Sequence, residues 1–155
     1  MHTTKVFLRI ILPSICLIGV ITIAVLASGG GSMSSGSDEA AGLYKKGVAS
    51  DRAGDYRTAL AYFKDANDLD SNNPDILNML AHSQRKLGMI DEALDNYKRA
   101  LRIRPEFPEA REYLGEAYVQ AALREIDILK TYGDKGAESR RDLIKALKDA
   151  ANGVK

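Results

Sequence analysis

The sequence predicts an all-α fold in which helical hairpins stack into a short solenoid behind an N-terminal membrane segment. Two stretches repeat each other at a constant offset along the chain, which we call the repeat period. The matching positions pair Gly54 with Gly88, Ala59 with Ala93, Leu60 with Leu94, Phe63 with Tyr97, and Ala66 with Ala100. Within each stretch the apolar residues recur at three- and four-residue spacing, which indicates amphipathic helices. A fixed period of this length is typical of folds built from repeated structural units.

The first element is a membrane-directed segment at residues 1–27. Residues 10–27 contain no charged side chain, and Lys5 and Arg9 precede them. The length of this run lies between the core of a signal peptide, about 7–15 residues, and a spanning helix, about 20 residues. Two alternatives therefore stay open, a retained transmembrane anchor and a signal peptide cleaved near Ala27. Cys16 lies in the middle of the run and lacks the preceding small residue of a lipid-attachment site.

A flexible linker is expected at residues 28–37, because this tract consists almost entirely of Gly and Ser. No Lys or Arg follows Arg9 until Lys45. The positive-inside rule then keeps the N-terminus in the cytoplasm and exports the domain at residues 38–155. We expect a cell-envelope protein with a periplasmic domain, either anchored in the inner membrane or released after cleavage.

The two repeated units, at about 40–73 and 74–107, share a specific set of small, apolar and turn residues. The second unit is the more complete, with Leu77, Leu80, Ala81, Gly88, Ala93, Tyr97, Ala100 and Pro105. This pattern resembles the tetratricopeptide repeat (TPR), although the first unit has Ser71 where the final Pro of the pattern stands. The stretch at 78–88, together with "EYLGEAY" at 112–118, resembles a group of small exported tetratricopeptide proteins of proteobacteria.

A third unit begins at Pro108 and then departs from the pattern. No Gly or Pro interrupts residues 116–132, so the sequence predicts one long helix at about 108–130. Gly133 and Gly136 are expected to form the next turn. The apolar stripe Leu143, Ile144 and Leu147 then predicts a capping helix, because a repeat array needs a cap where stacking stops. We expect capping helices over residues 108–151.

The resemblance implies a non-catalytic protein-interaction module, a scaffold or adaptor, whose first helices line a concave groove. The groove residues implied here are Tyr44, Asn78, His82, Arg85, Glu112 and Glu116. Some members of the family hold a C-terminal carboxylate with a clamp of Lys, Asn and Arg, but the matching positions here carry other residues. Glu112 and Glu116 would repel a carboxylate, so we expect a peptide or helix with basic or mixed charge.

The composition gives little indication of nucleic-acid binding, metal binding or catalysis. The net charge is +1, and no basic patch indicates nucleic acid. The domain has no cysteine and a single histidine, His82, which we interpret as a solvated groove residue rather than a metal ligand. We therefore expect no enzyme activity, no catalytic residue, no metal and no cofactor. The alternative function is self-association, in which the module forms homo-oligomers.

Overall fold

The structure, a computed structural model, describes the backbone of residues 32–153 and the side chains of residues 36–153. This part of the chain contains six α-helices and no strand, so the all-α class is confirmed. The helices are α1 (Ser32–Arg52), α2 (Tyr56–Leu69), α3 (Pro74–Lys86), α4 (Ile90–Ile103), α5 (Pro108–Thr131) and α6 (Asp134–Gly153). Each helix packs against the next one in the chain, as in a solenoid.

The membrane segment predicted at residues 1–27 lies outside the described residues. Within residues 32–153, no helix is long and apolar enough to cross a membrane. The linker predicted at 28–37 differs from the structure over its second half, because α1 already begins at Ser32. Ala40 is buried against Ala66 and Ile76, and this contact fixes α1 to α2 and α3. The first turns of α1 lie before this contact.

Capping side chains and turn glycines determine where the repeated helices begin and end. The Asp55 carboxylate accepts a hydrogen bond from the Thr58 amide at 3.1 Å, which caps α2. The Asn73 side chain accepts from the amides of Asp75 and Ile76 and caps α3. The turns at Gly54, Gly88 and Gly133 have φ of 76°, 80° and 58°, a region that glycine enters without the steric cost of a Cβ.

The repeat spacing brings equivalent residues to equivalent contacts in the core. Ala59 and Phe63 of α2 are buried with Leu80, and their counterparts one repeat period later, Ala93 and Tyr97, are buried with Ala81 and Ala117. Gly47 lies where α1 and α2 approach closely, since an added Cβ would come within 2.6 Å of the Phe63 ring. Small residues at these positions therefore set the distance between the helices.

The first helix of the third unit, α5, is longer than α2, α3 and α4, and α6 covers only part of it. α5 ends at Thr131, and α6 follows after the turn at Gly133. Gly136 lies in the first turn of α6, and its amide donates a hydrogen bond to the Gly133 carbonyl oxygen at 3.1 Å, so it takes part in the turn. It also allows close helix approach, because an added Cβ would collide with the backbone of Leu129. Within residues 32–153, α6 packs on α5 alone. The stripe Leu143, Ile144 and Leu147 is half-buried.

Candidate functional site

The first helices of the three units, α1, α3 and α5, lie side by side, with α3 in contact with both others. Two adjoining groups of side chains lie there. The first, which we call the aromatic groove, comprises Tyr44, Asp75, Asn78, Arg104, Phe107 and Tyr113. The second, which we call the polar cluster, comprises Asp51, His82, Arg85, Tyr113 and Glu116.

The aromatic groove is organised by an ion pair between a repeat helix and the turn that follows α4. Arg104 donates two hydrogen bonds to the Asp75 carboxylate, at 2.8 and 2.7 Å. The same guanidinium lies 4.7 Å from the centre of the Phe107 ring. This two-point contact is the geometry that Arg and carboxylate favour, and it fixes the turn against α3.

Tyr44 closes the α1 side of the aromatic groove. Its ring lies 5.7 Å from that of Phe63, which packs it onto the core. Burial raises the pKa of Tyr44, the Asp75 carboxylate raises it further, and Arg104 opposes the shift. Tyr44 is therefore a neutral phenol at ordinary pH, half-buried and able to donate or accept one hydrogen bond.

Asn78 lies beneath the groove and is 5% exposed. Its Oδ1 atom is buried and has no hydrogen-bond partner within the described part of the chain. An unsatisfied amide oxygen costs about 1–3 kcal/mol.

His82 stands at the centre of the polar cluster, between rings of α2 and α5. The Tyr113 ring lies 4.9 Å away and the Tyr56 ring 6.2 Å away. Its Nε2 is 3.5 Å from Asp51 Oδ1, which is too long for a strong hydrogen bond. Burial lowers the pKa of His82, against the opposing effect of the Asp51 carboxylate, so the imidazole is held neutral. The His82 side chain is 12% exposed, so it is not the solvated groove residue that the sequence predicted.

Arg85 ties α3 to α5. Its guanidinium is 2.7 Å from Glu116, and the exposed fractions of the two side chains are 4% and 46%. It also lies 5.5 Å from the centre of the Tyr113 ring. Behind it, burial raises the pKa of Tyr97 to about 12, although the neighbouring Arg85 opposes that shift. A buried guanidinium with its own carboxylate is a structural contact and not a free cation that a partner could reach.

The structure thus separates two residues that the sequence predicts as an acid pair. Glu116 is neutralised by Arg85, whereas Glu112 is exposed and makes no ion pair with any described residue. The six predicted groove residues do lie on first helices. Tyr44 and Asn78 line the aromatic groove, and His82, Arg85 and Glu116 form the polar cluster.

Tyr113, Arg104 and Phe107 belong to the site but were absent from the predicted set. Tyr113 connects the two groups, since its ring contacts His82 and Arg85 and also lines the aromatic groove. One signal could have identified it, because an aromatic residue beside a predicted groove position is a common binding residue. Arg104 and Phe107 come from the connection between units, which a comparison of first helices does not consider.

No group of three or more His, Cys, Asp or Glu side chains with the spacing of a metal site occurs among the described residues. What the arrangement offers is shape, aromatic surface, hydrogen-bonding groups and charge.

Comparison with known proteins agrees with the repeat architecture. A family model described as a TPR repeat matches residues 81–121, and one described as a tetratricopeptide repeat matches residues 52–95. No curated protein matches the chain significantly. Among solved structures, the TPR domain of OM64 from Arabidopsis aligns with a TM-score of 0.53 at 18% identity, covering 72% of this chain and 98% of that domain. At that identity the similarity concerns the fold. Residues 52–121 therefore match models of the tetratricopeptide repeat, and repeats of this type imply a protein-interaction module.

Proposed function

We propose that the chain is an adaptor of the cell envelope whose concave groove binds an extended peptide or one helix of a partner protein. The observation that carries this proposal is the aromatic groove. It offers the half-buried rings of Tyr44 and Tyr113 as apolar surface, beside Arg104, which lies over the ring of Phe107. Aromatic surface next to a few oriented polar groups is the usual composition of a peptide-binding site.

The charge at the edge of the groove favours a basic segment on the partner. Glu106 and Glu109 line the groove, and Glu112 follows Glu109 by one helical turn. These three carboxylates make no ion pair with a described residue, whereas Arg104 and Arg85 are already paired.

Arg111 donates a hydrogen bond to the Pro105 carbonyl oxygen at 3.1 Å and is the one cation at this edge without an ion pair among the described residues. Three carboxylates against this one cation leave the edge net negative. A Lys or Arg of the partner gains from it, and a carboxylate is repelled.

The test compares two labelled peptides of equal length, one alternating Lys with Leu and the other alternating Glu with Leu. Fluorescence anisotropy measures their affinity for the full chain in a mild non-ionic detergent. We expect the Lys peptide to bind more tightly. The double variant Glu109→Lys with Glu112→Lys should weaken that binding, and so should added salt, which screens exposed charges beyond about 8 Å at physiological ionic strength.

The matched control is Glu92→Lys with Asp95→Lys, at two exposed carboxylates of α4 that take no part in the groove. If this control weakens binding of the Lys peptide as much as the groove variant does, the peptide responds to overall charge. Equal binding of the Glu and Lys peptides would contradict the acidic groove. Either result would overturn the proposal.

Self-association is the alternative function, and the exposed apolar residues of α5 favour it. Tyr118, Val119 and Leu123 are exposed, as is Tyr132 directly after the helix. A cluster of exposed apolar side chains on a monomer often marks an interface with another protein chain. Sedimentation velocity of the full chain over a range of concentrations distinguishes the two functions. An adaptor stays monomeric without its partner, whereas a self-associating module does not.

A further inference from the structure

In the first two units, a small residue on the first helix marks the place where the second helix of the same unit crosses it. Gly47 faces the Phe63 ring so closely that no Cβ fits. Ala81, one repeat period later, is buried with Ala93 and Tyr97. Each unit therefore places an aromatic residue of its second helix against a small residue of its first.

The third unit has the small residue but lacks the covering helix. Gly115 follows Ala81 by one repeat period, and beyond its own helix backbone no atom of the described residues lies within 4 Å of the position that its Cβ would take. Beside it, Tyr118 and Val119 are 50% and 54% exposed. We call these three residues the α5 face. An open crossing position beside two large exposed side chains is the surface that a second helix covers in the other two units.

The chain itself does not supply that helix at this place because its turn comes late. One repeat period after Ile90 and Tyr97 stand Arg124 and Thr131, and both lie within α5. α6 begins only at Asp134 and makes its close contact at Gly136, against the Leu129 backbone near the end of α5. The covering of α5 therefore starts at its C-terminus and leaves the α5 face open.

We propose that the α5 face binds one amphipathic helix of a partner protein, which continues the repeat stack in trans. The helices that occupy the equivalent faces show what fits there. Both α2 and α4 present an aromatic residue with Ala four positions before it and three positions after it, and these residues are all buried. A partner helix with that spacing places its aromatic ring over Gly115.

The charge at the α5 face further defines the partner helix. Lys98 of α4 lies 5.6 Å from the centre of the Tyr118 ring, so a cation stands at the edge of this face. A carboxylate on the docking helix is favoured beside that ring. This surface is distinct from the concave groove, so the proposal stands or falls separately from it.

The experiment uses a labelled synthetic peptide with the sequence of residues 88–104, which contains the α4 helix, and the full chain in mild detergent. We expect binding that is lost with the peptide variant Tyr97→Ala. In the protein, Gly115→Leu should weaken binding at least tenfold by filling the crossing position. The same change should not lower the melting temperature, since the space at this position is open and Leu favours helix over Gly.

The matched control is Gly42→Leu, at an exposed glycine of α1 with equally open space. It should leave peptide affinity unchanged. Absence of peptide binding would overturn the proposal, and so would binding that Gly115→Leu does not reduce, because the peptide would then have replaced the chain's own α4. A concentration-dependent dimer that Gly115→Leu abolishes would assign the face to a second copy instead and would also overturn it.

Discussion

At the scale of single residues, Arg85 shows how a charged side chain on a groove helix becomes part of the framework. Its guanidinium lies between α3 and α5, almost fully buried, with the Glu116 carboxylate at 2.7 Å. A buried charge is tolerated only when it is paired, because removing it from water costs several kcal/mol. The Glu116 carboxylate therefore contributes to the stability of the helix stack, although its side chain is half-exposed.

Glu116→Gln should destabilise the protein, whereas Glu112→Gln should not. The first change leaves the buried Arg85 without a full countercharge, at a cost of about 1–3 kcal/mol. The second removes an exposed charge that makes no ion pair with a described residue, and surface changes of that kind stay within about 0.5 kcal/mol. Urea unfolding midpoints measure both. Equal midpoints for the two variants would show that the Arg85–Glu116 contact is not formed in solution.

His82 makes stability depend on pH. Burial lowers the pKa of His82 in the folded state, with Arg85 and Lys86 lowering it further, and Asp51 and Glu116 raising it. The unfolded chain therefore takes up a proton at a higher pH than the folded one does. The stability contributed by the neutral imidazole is present above the ordinary pKa of about 6.5 and is lost as the pH falls through and below it.

The measurement is the melting temperature between pH 7.5 and 5.5, which we expect to fall on acidification. His82→Gln should reduce that fall, since the only other histidine is His2, outside the domain. A pH dependence that persists undiminished in His82→Gln would assign it to other groups.

The residues of the site could be predicted only in part from the sequence. The repeat period identifies the groove face of each first helix, which is why Tyr44, Asn78 and His82 were found. Burial could not be predicted in the same way, because it depends on the neighbouring helix. Tyr113 covers both His82 and Arg85, and that contact follows from how closely α5 approaches α3.

At the scale of helices, the spacing of apolar residues predicts the positions of the helices well, whereas the local content of Gly and Ser predicts them less well. The absence of Gly and Pro after Gly115 correctly indicates a long α5. The Gly/Ser tract at residues 28–37 indicates a linker, yet α1 begins at Ser32, ahead of its first buried residue, Ala40, because intrinsic propensity is only a weak preference. The close approach at Gly136 was not predicted, since sequence alone does not distinguish a glycine needed for its backbone angle from one needed for close approach.

Two glycines of α1, one in open space and one in close contact, make a matched pair. Gly42→Ala should stabilise the helix by up to about 1 kcal/mol, because Ala is the better helix former and nothing lies near its Cβ. Gly47→Ala brings the same gain but forces the Phe63 ring to move, and overpacking of this kind costs about 1–3 kcal/mol. Thermal melts compare the two. The same upward shift for both would mean that α1 and α2 do not cross at Gly47.

At the scale of the whole molecule, each helix depends mainly on its sequence neighbours. α6 packs on α5 alone within the described residues, so it contributes at one end of the stack. In such arrays stability is roughly a sum of units and of the contacts between neighbours. The two proposed surfaces exploit different parts of this geometry. The concave groove uses the first helices of all three units, and the α5 face uses the place where the third unit lacks a second helix.

The location of the domain is the prediction on which the envelope role depends. Lys5 and Arg9 precede the uncharged residues 10–27, and the next basic residue is Lys45. The positive-inside rule then places the N-terminus in the cytoplasm and everything after residue 27 on the other side. A reporter that folds only after export, fused after Lys155, should therefore be active in bacterial cells, and a reporter active only in the cytoplasm should be silent.

The control for export places charge inside the apolar run. Ile18→Arg with Ile21→Arg should abolish export, because each Arg costs about 2.5–3.5 kcal/mol at the centre of a membrane helix. Activity of the exported reporter that survives both changes would show that residues 10–27 do not direct the domain across the membrane. The opposite reporter pattern in the unchanged chain would place the domain in the cytoplasm and remove the envelope from the proposed function. The groove and the α5 face would then remain as binding surfaces for cytoplasmic partners, since neither depends on the N-terminal segment.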